Sequence, residues 1–345
     1  MKTLIRRVVL VVFGAAAAVG AVAAASAGSF TGTWSAERGS RPGSVRLEMR
    51  RKSAHSDWSN GESLPLESLS GLTEDALSGS GPASFEMRRD AGVIRFDGTF
   101  RGGEGAGHFE FTPDPGYVSG MGALGYRLSE DELFSAAVHD VSRAFVREIA
   151  DLGYSRLPFD DLVAFRIHGA TPEFIRAMQG LGYRGIAADD LVAFRIHGAT
   201  PEYVRAMNAE GLRAIPADDV VAMRIHGVTP EFVKALREFG DTDATAEDAV
   251  SLRIHGANED YLREIGALGY RGTPADDLVA MRIHGVSAGF IRDLAALGYP
   301  HVPVDDLVAM RIHGVSPAFV RDAVARRGEK PSPDELVSMK IHGER

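Results

Sequence analysis

The tetrapeptide Arg-Ile-His-Gly, or a close variant of it, returns with its histidine at His168, His197, His226, His255, His284, His313 and His342, each 29 residues after the last. One period earlier stands His139, in Ala137-Val138-His139-Asp140, a diverged first copy. Eight positions therefore hold one register over 203 residues without insertion or deletion. A fixed period of this length marks a solenoid, because each copy is one supersecondary unit that buries its apolar side only against its neighbours.

Each copy carries the punctuation of two short helices. An acidic pair such as Asp160-Asp161, Asp189-Asp190, Asp276-Asp277 or Asp305-Asp306 precedes the histidine and suits a first helical turn, while the Arg and His suit the last turn. Gly169, Gly198, Gly227, Gly256, Gly285 and Gly314 follow, where a left-handed C-terminal cap favours glycine. Two residues further stand Ser142, Thr171, Thr200, Thr229, Asn258, Ser287 and Ser316, all N-cap residues, four of them followed by proline. The second helix stops near Gly153, Gly182, Gly211, Gly240, Gly269 or Gly298. Helices of ten residues span about 15 Å and are marginal alone. Stability must come from stacking, and the residues expected to be buried between copies are Leu162, Phe165, Ile167, Phe174, Met178 and their equivalents.

The segment before the repeats has the period of strands. Val45, Leu47 and Met49 alternate with charged residues, as do Phe85 and Met87, and Asp90-Ala91-Gly92 predicts a hairpin turn into Val93–Phe100. A further strand runs through Phe109 and Phe111, whereas Ser53–Gly81, rich in Ser and Gly, predicts a long loop or weak strands. At the start, Lys2, Arg6 and Arg7 precede an Ala- and Val-rich stretch that ends in Ala25-Ser26-Ala27, the pattern of a cleaved signal peptide. The expected organisation is α+β multidomain: a signal peptide at 1–27, a small antiparallel β domain at 28–116, and an α-solenoid of about eight 29-residue helical-hairpin repeats at 117–345. That segment predicts an extracytoplasmic protein, periplasmic or secreted, with membrane attachment only if it stays uncleaved.

Chemistry is sparse. The chain has no cysteine, which removes disulfides, thiolate catalysis and Cys-ligated zinc. Its formal net charge of -9 argues against nucleic acid. No zinc-peptidase helix, nucleophile elbow or phosphate-binding loop occurs, so no catalytic residue, cofactor or metal site is assigned. The histidines of neighbouring copies should lie about one helix-packing distance, roughly 8–10 Å, apart, too far to share a zinc ion. The ladder His139, His168, His197, His226, His255, His284, His313 and His342 is therefore read as structural, its side chains serving helix ends. Arg166, Arg195, Arg224, Arg253, Arg282 and Arg311 form a second row and a candidate interaction ladder for acidic ligands. The competing reading pairs them with the aspartates, and from Tyr117 onward 25 Lys plus Arg against 34 Asp plus Glu favours it.

The stretch Val221-Ala222-Met223-Arg224-Ile225-His226-Gly227-Val228-Thr229-Pro230-Glu231-Phe232-Val233 resembles repeats of bacterial exported proteins. Similar repeats follow the peptidase domain of some beta-lactam-sensor-like membrane metallopeptidases. The resemblance implies export and a helical repeat fold. It implies no peptidase activity here, since the zinc motif and multiple membrane spans are missing from this sequence. The expected function is a non-enzymatic scaffold that binds a protein or peptide through the array. The alternative is an extracytoplasmic sensor whose β domain binds a small ligand or cell-envelope fragment.

Overall fold

A computed structural model describes residues 30–52 and 57–343. The expected signal peptide lies outside the described residues. The chain divides into two compact units. The first holds the sheet through Val118 together with Leu128–Ala137, and the second holds Ser119–Arg127 and everything from Val138 onward.

Seven antiparallel strands form the first unit: β1 (Phe30–Arg38), β2 (Ser44–Lys52), β3 (Asp57–Pro65), β4 (Leu69–Ser70), β5 (Ser80–Arg89), β6 (Gly92–Arg101) and β7 (Glu104–Pro113), in the order β3-β2-β1-β7-β6-β5-β4. Each strand pairs with its neighbour in the chain except across the β3–β4 connection, and β1 pairs with β7. This is the connectivity of an up-and-down barrel opened at one seam. A short helix, α1 (Glu74–Ser78), follows β4. The stretch expected as a loop or weak strands in fact supplies the nine-residue β3, paired along its length with β2. Its polar sequence, Asp-Trp-Ser-Asn-Gly-Glu-Ser-Leu-Pro, suits an edge strand, where one face and one margin meet water.

Aromatic rings fill the inner face. Trp34, Phe85, Phe96, Phe100, Phe109 and Phe111 are each at most 2% exposed. Glycine makes room for them: a Cβ on Gly98 would sit 2.6 Å from the Trp34 ring, and one on Gly105 would sit 2.5 Å from Phe100. The helix Glu130–Val138 (α3), which follows α2 (Pro115–Ala123), adds Phe134 to this core. Its ring touches Phe30 of β1, Trp58 of β3 and Phe109 and Phe111 of β7.

The repeats form two layers. One consists of α5 (Phe159–His168), α7 (Ala188–His197), α9 (Ala217–Ile225), α11 (Ala246–Ile254), α13 (Ala275–Ile283), α15 (Val304–Ile312) and α17 (Pro333–Ile341). The other consists of α4 (Arg143–Asp151), α6 (Pro172–Gly180), α8 (Pro201–Ala209), α10 (Pro230–Phe239), α12 (Glu259–Ile265), α14 (Ala288–Ala296) and α16 (Pro317–Arg327). Within each layer every helix packs on the one a repeat away, which is the nearest-neighbour stacking of a solenoid.

The expected punctuation is in place. The six cap glycines adopt φ between 68° and 77°. The next amide donates back five residues, as Ala170 does to Phe165 at 2.8 Å. In the first copy Asp140 occupies this left-handed position with φ 56°. Its carboxylate meets Arg166 at 2.7 Å, a compensation that glycine could not offer. Each N-cap from Ser142 to Ser316 accepts a hydrogen bond from the third amide of its helix, at 2.8–3.3 Å.

Tyrosines pin one copy to the next. The hydroxyls of Tyr183, Tyr270 and Tyr299 donate to carbonyls 32 residues on, at 2.7–2.8 Å. Tyr154 holds the equivalent place, but its buried hydroxyl has no partner among the described residues. Tyr183→Phe is therefore expected to cost about 1–2 kcal/mol by orphaning the Ile215 carbonyl. Tyr154→Phe should leave the array unchanged or slightly more stable, and chemical denaturation of the two variants checks the difference.

Candidate functional site

The sequence Leu-Val-Ala-Phe/Met-Arg-Ile-His is apolar at most positions, so helix geometry decides which residues face inward. At 100° per residue Phe159, Leu162 and Phe165 share one side of α5, and all three are buried. Ile167 lies two residues past Phe165, on the far side. It is 52% exposed, so the expectation that neighbouring copies bury it is corrected. The repeat propagates the result: Ile196, Ile225, Ile254, Ile283, Ile312 and Ile341 are 48–57% exposed. Val163 and Ala164, one turn before Ile167, are half-buried on the same side, and Asp160 is exposed at the N-terminal end of that strip. Each helix of this layer thus presents carboxylate, small apolar floor and isoleucine in that order along its outer face.

The arginines beside the isoleucines are used within the array. Arg195 donates to the carbonyl of His168 at 3.2 Å, and Arg224, Arg282 and Arg166 repeat this bond with His197, His255 and His139 at 3.0–3.3 Å. Each guanidinium in the row Arg166, Arg195, Arg224, Arg253, Arg282 and Arg311 also lies 4.7–5.2 Å from the centroid of an aromatic ring of the preceding copy, from Phe145 to Phe290. Their partners are chiefly rings and main-chain oxygens. The inter-repeat aspartate pairing expected from sequence occurs only at Asp140, among the described residues.

The histidine ladder takes part through its backbone, since the carbonyls of His139, His168, His197 and His255 accept the arginines. The ring of His342 bonds the Ser338 carbonyl at 2.8 Å. The rings of His168, His226, His255, His284 and His313 are exposed and that of His197 is half-buried. His139 is held down to about 4, by burial first and by the Arg166 charge second. Among the described residues no group of three metal-ligating side chains converges, and no helix is long and apolar enough to cross a membrane.

A second acidic row lies beside the first. The carboxyls of Asp161, Asp190 and Asp306 stand above the ordinary aspartate range, first because of burial and then because of Asp189, Asp218 and Asp334 in the next copy. This layer therefore concentrates negative charge along its N-terminal edge. On the β unit, an open depression of about 620 Å³ is lined by charged residues including Glu37, Arg46, Glu48 and Arg101.

Sequence patterning alone missed the isoleucine edge and the ring-stacked arginines. The constant spacing of 21 residues between ring and arginine, as in Phe174 and Arg195, was the available signal for the latter. No protein-family model matches the chain, and no curated protein matches it.

Proposed function

We propose that the chain is an exported, non-enzymatic scaffold that binds a protein or peptide through its helical array. The observation that carries this reading is the isoleucine row, seven large apolar side chains about half exposed at one position of every full copy. Single exposed apolar residues are ordinary on a protein surface, whereas a contiguous repeated row marks an interaction face. Covering the exposed half of one isoleucine contributes about 1 kcal/mol, so useful affinity requires a partner that spans several copies. A small-ligand sensor receives less support, because aromatic side chains fill the inner face of the sheet.

The test compares the full chain with an Ile196→Ser, Ile225→Ser, Ile254→Ser, Ile283→Ser variant. Both should melt at similar temperatures, since these side chains are not in the core. A specific partner captured from a cell-envelope extract by the parent chain and lost by the variant supports the scaffold. Equal capture by both, or none by either at concentrations where the protein is folded, overturns it.

A further inference from the structure

Within the first unit, the helix one period before α5 has the equivalent face covered. In the 29-residue register, α3 places Asp131 where α5 has Asp160, Phe134 where it has Val163, and Val138 where it has Ile167. Phe134 is 1% exposed, stacked at 4.3 Å on Phe30 and 5.3 Å on Phe109, with Trp58 edge-on at 4.9 Å. Asp131 pairs with Arg51 at 2.6 Å, and that guanidinium also lies 3.5 Å from the centre of the Phe30 ring. Val138 is 2% exposed, against 52% for Ile167. At Asp131 and Phe134, positions that stand open on the later helices, the cover consists of aromatic rings and an arginine.

From α5 to α17 the face recurs without that cover. Asp160, Asp189, Asp218, Asp276, Asp305 and Asp334 are exposed, and none has a hydrogen-bond or ion-pair partner for its carboxylate among the described residues. Beyond them run the half-buried valines and then the isoleucines. Resting on the scaffold reading above, we propose that this face docks a cationic polypeptide whose aromatic or aliphatic side chains lie on the valine and isoleucine strip while its arginines or lysines meet the carboxylate row. It would engage the later copies as β1, β3 and β7 with Arg51 engage α3. Charge complementarity selects this occupant. A second copy of the array suits this face less well: the arginines from Arg166 to Arg311 lie over the rings of the preceding repeat, and Arg176, Arg205, Arg263 and Arg292 of the other layer are already paired with carboxylates. The carboxylates likewise oppose an anionic bilayer.

Two labelled synthetic 20-residue peptides, one repeating Arg-Phe-Gly-Ser and the other Glu-Phe-Gly-Ser, are titrated against the full chain by fluorescence anisotropy. The arginine peptide should bind at least about tenfold tighter, with affinity falling as salt is raised. Asp189→Asn, Asp218→Asn, Asp276→Asn should weaken it about tenfold or more. Neutralising three carboxylates of the other layer, Glu173→Gln, Glu202→Gln, Glu231→Gln, should change it less than about twofold. Ile196→Ser, Ile225→Ser, Ile283→Ser should also weaken it about tenfold or more. Equal binding of both peptides, binding of neither, or equal losses from the two acidic sets overturns the proposal. So does tighter binding to phosphatidylglycerol vesicles than to the arginine peptide, which would point to a membrane. If the isoleucine set weakens both peptides and the aspartate set neither, the charge inference fails while the scaffold reading stands. If the isoleucine set has no effect on a peptide that binds, both fail.

Discussion

Phe194→Ala is expected to destabilise the array by about 3–5 kcal/mol, while Ile196→Ala, two residues along the same helix, should cost no more than about 1 kcal/mol. By composition alone the two are comparable large apolar residues. Phe194 is 0% exposed and packs edge-to-face on Tyr183 at 5.3 Å, so its removal leaves a cavity walled by two copies. Ile196 is 48% exposed, so its loss opens a surface site to water and leaves no closed cavity. Urea denaturation of the full chain, followed by helical circular dichroism, measures both. Comparable losses at the two positions would mean that the isoleucine is a packing residue after all.

Deleting residues 199–227, one complete unit, should yield a shorter array that still unfolds cooperatively. Deleting only 199–212 should abolish the cooperative transition. The first deletion joins Gly198 to Val228 and so returns a cap glycine to the residue type that follows it elsewhere. Every remaining helix then meets the same kind of neighbour, which is sufficient where stability is a sum of unit and nearest-neighbour terms. The second deletion removes α8 but keeps α9, so the alternation of layers is lost. Arg224 would then no longer find the ring of Tyr203 that it covers at 4.7 Å.

The parts of this fold that were legible in the sequence are those fixed locally. A left-handed glycine, a Thr-Pro helix start and an alternating strand each declare themselves within a few residues, and a constant period carries them through the chain. Ile167 is ambiguous in the sequence because its helix is apolar at Leu162, Val163, Ala164, Phe165 and Ile167 alike, so pattern alone does not choose the buried side. Packing against both neighbours chooses it. β3 was obscure because an edge strand with polar side chains has little periodicity to show. The role of Phe134 was out of reach for a different reason. It is a phenylalanine among valines at its repeat position, and only the rings of β1, β3 and β7 explain it.

The side of the stacked helices that meets water decides whether the isoleucine row can bind anything. Because the chain contains no cysteine, a single introduced thiol reports its own surroundings without background. The direct measurement is the rate of maleimide labelling of Ile225→Cys and, two residues away, Met223→Cys, in the folded full chain. The thiol at 225 should react about as fast as a small free thiol. The one at 223, where the native side chain is 0% exposed, should react at least about a thousandfold more slowly, through rare opening of the array. Equal rates, or a protected 225 with a reactive 223, would contradict the outward isoleucine row and the scaffold built on it.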